Sequence, residues 1–183
     1  MTIITPCYRL NNLNKIKESI DFNYVDEWII VYDGTKIDTL PNIFQHEKIK
    51  EYICKGDGIE GNDQRNYGIT QIKNEDTYLY FLDDDNIIHP GLYTLINKII
   101  GIKLYTFNLY KSKGPFIGMM YGTDIRVGGV DTSMFLCHYS LIKGIFWIKD
   151  LYGADGYYIK ECVLKNKNNH VFINEILCYH NAL

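Results

Sequence analysis

Three consecutive aspartates, Asp83, Asp84 and Asp85, follow the apolar, strand-like stretch "YLYFL" at residues 78–82. Neighbouring carboxylates repel, and their burial at a strand end is costly unless positive charge meets them. Hard oxygen donors of this kind suit Mg²⁺ or Mn²⁺, which takes one or two protein carboxylates and fills its shell with water and phosphate oxygens. The alternative is a solvated acidic turn, against which the apolar strand leading into the run argues. Three more residues could share that chemistry. In "GNDQRNYGI" (61–69) and just beyond, Arg65, Ile69 and Ile72 recur at i, i+4, i+7. Arg65 therefore prolongs an apolar stripe toward a helix N-terminus, where it can meet phosphate oxygens or pair with a carboxylate. Asp155, Ile159 and Cys162 repeat that spacing, which turns Asp155 inward near a helix start as an N-cap or a general base. His180 stands just after an apolar strand; it is either a satisfied histidine or, beside a metal, a ligand.

The elements that must position these residues alternate in type. "TIIT" (2–5) predicts a strand, and "NLNKIKESID" (12–21) a helix with Leu13, Ile16 and Ile20 on one face. "EWIIVYD" (27–33) is apolar on both faces, as a strand covered on both sides must be. "KEYIC" (50–54) is a shorter strand. "GNDQRNYGITQIK" (61–73) predicts a helix with Asn62 or Asp63 as N-cap, "TYLYFLD" (77–83) a strand, and "PGLYTLINKII" (90–100) a helix with Pro90 near its first turn. The second half is less regular, with strands expected at 116–122, 132–138 and 171–179 and a helix at 154–165. Such βαβ alternation implies an α/β fold with a mostly parallel central sheet flanked by helices and a mixed C-terminal half. Ligands of such sheets sit at the carboxyl ends of the strands. Tyr8–Arg9, Asp33–Gly34 and Asp83–Asp85 all fall at such ends.

Composition narrows the field. At 183 residues the chain suits one domain, and with 46% apolar residues it is not disordered. A net charge of −3 argues against a nucleic-acid binder, which wants a basic face. There is no run of transmembrane length and no signal pattern, so the expectation is a cytoplasmic protein without a transmembrane segment. The five cysteines are an odd count without CxxC spacing, which predicts reduced core thiols rather than a zinc site. Neither GxxxxGK[ST] nor GxSxG occurs, so P-loop binding and a serine nucleophile elbow lack support.

Taken in order, these stretches resemble glycosyltransferase family 2, inverting enzymes of the GT-A fold that carry a DxD motif. "IITPCYRLNNLNKIKESI" is similar to that family's first strand and helix, which places Thr5, Pro6 and Tyr8 at the nucleotide. "EWIIVYDGT" resembles the strand whose terminal aspartate meets the base, implying Asp33 with Gly34. "GNDQRNYGI" resembles the Arg-Asn helix at the diphosphate, implying Asn62 and Arg65, and "FLDDDNIIHP" resembles the DxD element. "GGVDTSMFL" is similar to the loop and strand below the acceptor, implying Gly129 and Asp131, and "GADGYYI" to the segment with the catalytic base, implying Asp155. The resemblance implies one domain over 1–183, with a nucleotide-binding half (1–100) and an acceptor-side half (101–183). It also implies Mn²⁺ or Mg²⁺ on Asp85 with His180, and Asp83 and Asp84 on the nucleotide. A UDP-sugar is the favoured donor, because an aspartate at the base suits the ring NH of uracil. The acceptor is a glycan or other hydroxyl compound, and peripheral association with a glycan-assembly complex and a homodimer are both compatible with it.

Rival readings are weaker. A haloacid-dehalogenase-like phosphatase carries its nucleophilic aspartate on the first strand of its domain, whereas here two or three strands precede the acidic run. A sugar-nucleotide pyrophosphorylase needs a glycine-rich phosphate loop that "TPCYRLNN" does not supply. A non-catalytic nucleotide- or glycan-binding module of transferase descent would keep the motifs without turnover.

Overall fold

Apolar residues on both faces of the early strands require a sheet covered on both sides, and the computed structural model has one. It describes every residue except 57, 115 and 116. Among the described residues the strands are β1 (Thr2–Cys7), β2 (Glu27–Asp33), β3 (Ile49–Cys54), β4 (Tyr78–Phe81), β5 (Ile87–Ile88), β6 (Leu104–Lys111), β7 (Gly118–Met120), β8 (Phe135–His138) and β9 (His170–His180). The α-helices are α1 (Leu13–Ser19), α2 (Asn62–Thr70), α3 (Gly91–Ile96) and α4 (Ala154–Lys165). Side chains alternate across a strand, and the core divides accordingly. Ile4, Ile29, Val31, Leu79 and Phe81 pack with Ile69 of α2 and Tyr158 and Ile159 of α4. Ile3, Trp28, Ile30, Tyr32 and Tyr80 pack on the opposite face with Leu13 and Ile16 of α1 and Leu92 of α3.

The sheet runs β3-β2-β1-β4-β8-β6-β9-β5, with β7 added beside β6. The first four strands are mutually parallel, β8 is antiparallel to β4 and β6, and β9 runs parallel to β6. The parallel half with a mixed finish is the predicted arrangement. β1 sits between β2 and β4, so the chain leaves it once to each side. The carboxyl ends of β1 and β4 therefore form a switch-point crevice of the kind that receives ligands.

Some expectations are corrected. The eight-residue β6 was not predicted: Thr106 and Asn108 interrupt its apolar run, yet both are buried. Their polar atoms are met from neighbouring strands and loops, Thr106 Oγ1 by His170 Nε2 at 2.9 Å and Asn108 Nδ2 by Asn174 Oδ1 at 3.0 Å. β9 bulges opposite Asn108. The strand expected at 116–122 shrinks to β7, and its first residue lies outside the described residues. The segment 132–138 opens as a 3₁₀ turn, Thr132–Met134, before β8 begins. All five cysteines are free, four of them buried and Cys54 half-buried. Among the described residues no helix is long and apolar enough to cross a membrane.

Neither Asn62 nor Asp63 caps α2. The N-cap is Gly61, at φ 78°, and no side chain bonds there. A Cβ at Gly61 would come 2.8 Å from Pro6 Cβ, so α2 starts against the end of β1 only because this residue has none. Gly61→Ala is expected to lower stability by at least ~1 kcal/mol, the cost of a left-handed residue with a side chain. That corresponds to a melting point about 2–4 °C lower in a chain of this size; an unchanged melting curve would refute the close-approach argument.

Candidate functional site

The strand alternation that divides the core also divides the aspartates. Asp83 continues the face of Phe81 and meets α2: its Oδ1 accepts from Arg65 Nη2 at 2.6 Å. Asp84 continues the face of Leu82 and meets the turn after β1. Its Oδ2 accepts from the backbone N–H of Tyr8 and of Arg9, each at 2.8 Å, and its Oδ1 from Arg9 Nη1 at 2.7 Å. Asn12 Nδ2 donates to the Asp84 carbonyl at 2.8 Å. Asp84 is thus a buried bracket that fastens the β4 turn to the β1 turn. Burial raises the Asp83 carboxyl above the usual carboxylate range, with Arg65 opposing and Asp131 and Asp85 adding to the rise.

Asp85 looks into the crevice. Its Oδ2 lies 2.8 Å from Arg9 Nη1, and burial lifts its pKa against the pull of Arg9 and His180. Facing it from the ends of other elements are His180, last residue of β9, and Asp131, which precedes the 3₁₀ turn. His180 Nδ1 lies 3.1 Å from Asp131 Oδ2, close enough for an ion pair but without the alignment of a hydrogen bond, so this buried nitrogen lacks a hydrogen-bonding partner. Burial alone would lower the His180 pKa, but Asp131 and Asp85 raise it. Burial alone would raise that of Asp131, but His180 and two bonds from Ser133, its N–H at 3.1 Å and its hydroxyl at 2.7 Å, bring it below the usual range.

Asp155 reaches the same crevice from the first turn of α4. It is not the N-cap, a place taken by Gly153 at φ 70° with no side-chain bond. Its Oδ1 accepts instead from the N–H of Gly156 at 2.7 Å. A Cβ on Gly156 would stand 2.5 Å from Val127 Cα, so the helix start is seated directly on the 126–127 backbone. Burial and the nearby Asp131 raise the Asp155 pKa from 3.8 to about 6.

Arg65 confirms its inward stripe and shows the carboxylate pairing that the sequence left open. It is 5% exposed, donates through Nη1 to the Glu60 carbonyl at 2.7 Å, and lies 4.8 Å from the Trp147 ring centroid. Its Nε is buried without a partner. Asn62 is spoken for elsewhere, donating to the carbonyls of Ile148 and Leu151 at 3.2 Å each. Asp33 holds its own turn, accepting from Thr35 N–H at 2.9 Å and Thr35 Oγ1 at 2.6 Å. Gly34 lets β2 approach β3, since a Cβ there would meet Cys54 O at 2.9 Å.

A cleft of about 720 Å³ gathers Pro6, Tyr8, Asp33, Asn62, Arg65, the three consecutive aspartates, Asp131, Asp155 and His180. That volume lies within the range of small-molecule sites. Three residues expected in it stand elsewhere: Thr5, Gly129 and Gly34, the last packed against β3. Thr5 is fully buried, its hydroxyl accepting from Trp28 Nε1 at 2.9 Å, because β1 runs on to Cys7 and the turn comes two residues later. Gly129 faces a neighbouring cavity, its backbone pressed against the Asp124 carbonyl. The sequence places Arg9 at a strand end without giving it a role, and does not mark Lys36 at all. Arg9 Cζ lies 4.4 Å and Lys36 Nζ 4.0 Å from the Tyr8 ring centroid, and Lys36 Nζ is 3.7 Å from Asp33 Oδ2. A single basic residue in a turn carries no periodic signal that would mark it.

The donor set suits a divalent cation. Among the described residues no group of three or more His, Cys, Asp or Glu could hold an ion alone. Mg²⁺ and Mn²⁺ do not require one where phosphate oxygens complete the shell. Asp85 supplies a hard oxygen at the cleft, and His180 a buried nitrogen with no aligned partner.

No family model and no curated protein matches this chain. Solved structures do. TarS 1–349 of S. aureus in complex with UDP-GlcNAc aligns over 97% of this chain and 57% of its own length, with a TM-score of 0.77 and 14% identity. Glucosyl-3-phosphoglycerate synthase from Mycobacterium tuberculosis, in complex with Mn²⁺, UDP and phosphoglyceric acid, aligns over 98% of this chain and 69% of its own, with a TM-score of 0.62 and 14% identity. The inositol-1-phosphate CTP transferase from T. maritima aligns over 98% and 88%, with a TM-score of 0.56 and 10% identity. This chain therefore spans less than three-fifths of the TarS fragment. The fold is GT-A-like, as the motifs imply.

Proposed function

We propose that this chain is a metal-dependent glycosyltransferase that moves a sugar from a UDP-sugar to a hydroxyl acceptor with inversion, in glycan biosynthesis. The observation that carries the reading is the meeting, in one switch-point cleft, of Asp85 and His180 on one side and Asp155, at a pKa of about 6, on another. A carboxylate poised near neutral pH suits a general base. That structures of this fold have been solved with UDP-GlcNAc, and with Mn²⁺ and UDP, supports the nucleotide and the cation.

In this reading Asp155 takes the proton of the acceptor hydroxyl as its oxygen attacks the anomeric carbon from the face opposite the diphosphate. The C1–O bond breaks, its electron pair leaves with UDP, and the anomeric configuration inverts. Asp85 and His180 would hold Mn²⁺ or Mg²⁺, which when bound neutralises charge on the departing diphosphate. Arg65 holds the diphosphate from the start of α2, Asp33 meets the base, and residues 101–183 form the acceptor side with Asp131. Nucleotidyl transfer, the activity of one neighbour of the same fold, fits less well. The N–H groups of Tyr8 and Arg9, which a phosphate loop at this turn would offer, both donate to Asp84.

A thermal-shift panel of uridine, UDP and UDP-sugars with and without Mn²⁺ tests the binding, since ligand binding raises apparent stability. UDP should stabilise the chain more with Mn²⁺ than without. Equal shifts under both conditions would remove the metal from the reading. Release of free sugar from a UDP-sugar would separate an enzyme from a binding module.

Arg65→Ala is expected to weaken UDP binding about 10- to 100-fold, the worth of a charge-assisted hydrogen bond. Uridine binding should be nearly unchanged. Equal losses for both ligands would make Arg65 a structural residue paired with Asp83.

A further inference from the structure

Asn86, the residue after the acidic run, is completely buried, and its side chain touches two segments far away in sequence. Its Nδ2 donates to Ser133 Oγ at 3.2 Å, and Ser133 Oγ donates to Asp131 Oδ1 at 2.7 Å. Its Oδ1 accepts from the N–H of Asn181 at 3.0 Å. Asn181 is the residue after His180, and His180 Nδ1 lies 3.1 Å from Asp131 Oδ2. The contacts close a ring: Asn86, Ser133, Asp131, His180, Asn181 and back to Asn86.

The ring is anchored to the acidic turn on every side. The Asn86 N–H donates to the Asp83 carbonyl at 3.1 Å, and the Asp85 carbonyl accepts from Ala182 N–H at 2.9 Å. Asn181 takes a left-handed backbone, φ 52°, which folds residues 181–183 back onto that turn. Ser133 is itself held, its carbonyl accepting from Tyr80 Oη at 3.0 Å on β4. An alanine at 86 would leave the Asn181 N–H without its acceptor and the Ser133 hydroxyl without its donor.

We propose that Asn86 is a positioning residue: one side-chain amide sets Asp131 through Ser133 and His180 through Asn181, so that both face Asp85 in a single arrangement. This rests on the transferase reading, in which Asp85 and His180 hold the cation. Partners behind ligating side chains are typically worth 10–100-fold in metal affinity or activity, and an amide is suited to this place because it donates to one neighbour and accepts from the other.

Calorimetric titration of the whole chain with UDP, with and without Mn²⁺, and with uridine tests the proposal. Asn86→Ala should lose about 10- to 100-fold in UDP affinity in the presence of Mn²⁺, while uridine, which brings no phosphate to the cation, binds as before. Ser133→Ala should lose affinity in the same sense, and the double variant should be little worse than Asn86→Ala, because the two residues act through one chain of bonds. A residue that only supports the fold would lower the melting point and leave the Mn²⁺-dependent affinity of folded molecules intact. Asn86→Ala with wild-type Mn²⁺ dependence overturns the proposal, as do losses that add in the double variant. Should Asn86→Ala fail to fold, unchanged Mn²⁺-dependent binding by Ser133→Ala overturns it equally. Absence of Mn²⁺-dependent UDP binding in the unmutated chain overturns the transferase reading instead.

Discussion

Replacing Asp85 by alanine is expected to abolish the metal-dependent part of nucleotide binding while the fold persists. Its contribution to the structure runs mainly through its backbone, whose carbonyl accepts from Ala182 and Leu183 and survives the substitution. The lost side chain contacts Arg9, and Arg9 keeps its 2.7 Å contact with Asp84. The burial that raises the Asp85 pKa disfavours its charged form, so removing that carboxylate relieves a local electrostatic cost. Melting should therefore stay near wild type. Binding should not, because Asp85 is the carboxylate of the run that neither α2 nor the β1 turn fully engages. In calorimetry the unmutated chain should bind UDP more tightly with Mn²⁺ than without, and the variant should show the same weak affinity in both. A variant that retained the full Mn²⁺ increment would remove Asp85 from the cation site.

Where the sequence was legible, its signals were periodic. β2 and α4 were predicted to the residue, since an apolar run of five between two acidic residues and a stripe at i, i+4, i+7 admit few other structures. The acidic run was legible because carboxylates after an apolar strand need a physical reason. β6 was opaque because the partners that make Thr106 and Asn108 acceptable in a core, His170 and Asn174, lie more than sixty residues away. Thr5 was misplaced by the same local view, since nothing in "TIITPC" says that the strand outlasts its proline. Arg9 and Asn86 join the site only when the β1 and β4 turns come together with residues 131–133 and 180–183. Helix starts were the other blind spot. Both α2 and α4 are capped by a left-handed glycine, where a capping side chain was expected for α2 and was one of two readings of Asp155 for α4.

Asp155→Asn should reduce sugar transfer by at least about a hundredfold, the lower end of what a general base contributes. The asparagine keeps an oxygen that can accept from the Gly156 N–H but cannot take a proton from an acceptor hydroxyl. Donor and Mn²⁺ binding should be unchanged, because Asp155 approaches the cleft from α4 and not from the acidic turn. The pH dependence carries a second signature. A base with a pKa of about 6 is ionised above that value, so kcat/KM of the wild type should rise with pH through about 6 and then level. Asp83 also has a raised pKa and could produce such a limb; its loss in the Asp155→Asn variant would assign the limb to Asp155. Stability gives a third, of opposite sign to a capping role. The folded-state pKa lies above the ordinary 3.8, so ionised Asp155 opposes folding: the penalty is absent below about pH 4, grows as pH rises, and is complete above about 6. At pH 7 the asparagine variant should therefore melt no lower than the wild type, and the difference should vanish below pH 4. Near-normal transfer by a variant that melts at or above the wild type would take Asp155 out of the mechanism, leaving it a buried carboxylate at a helix start.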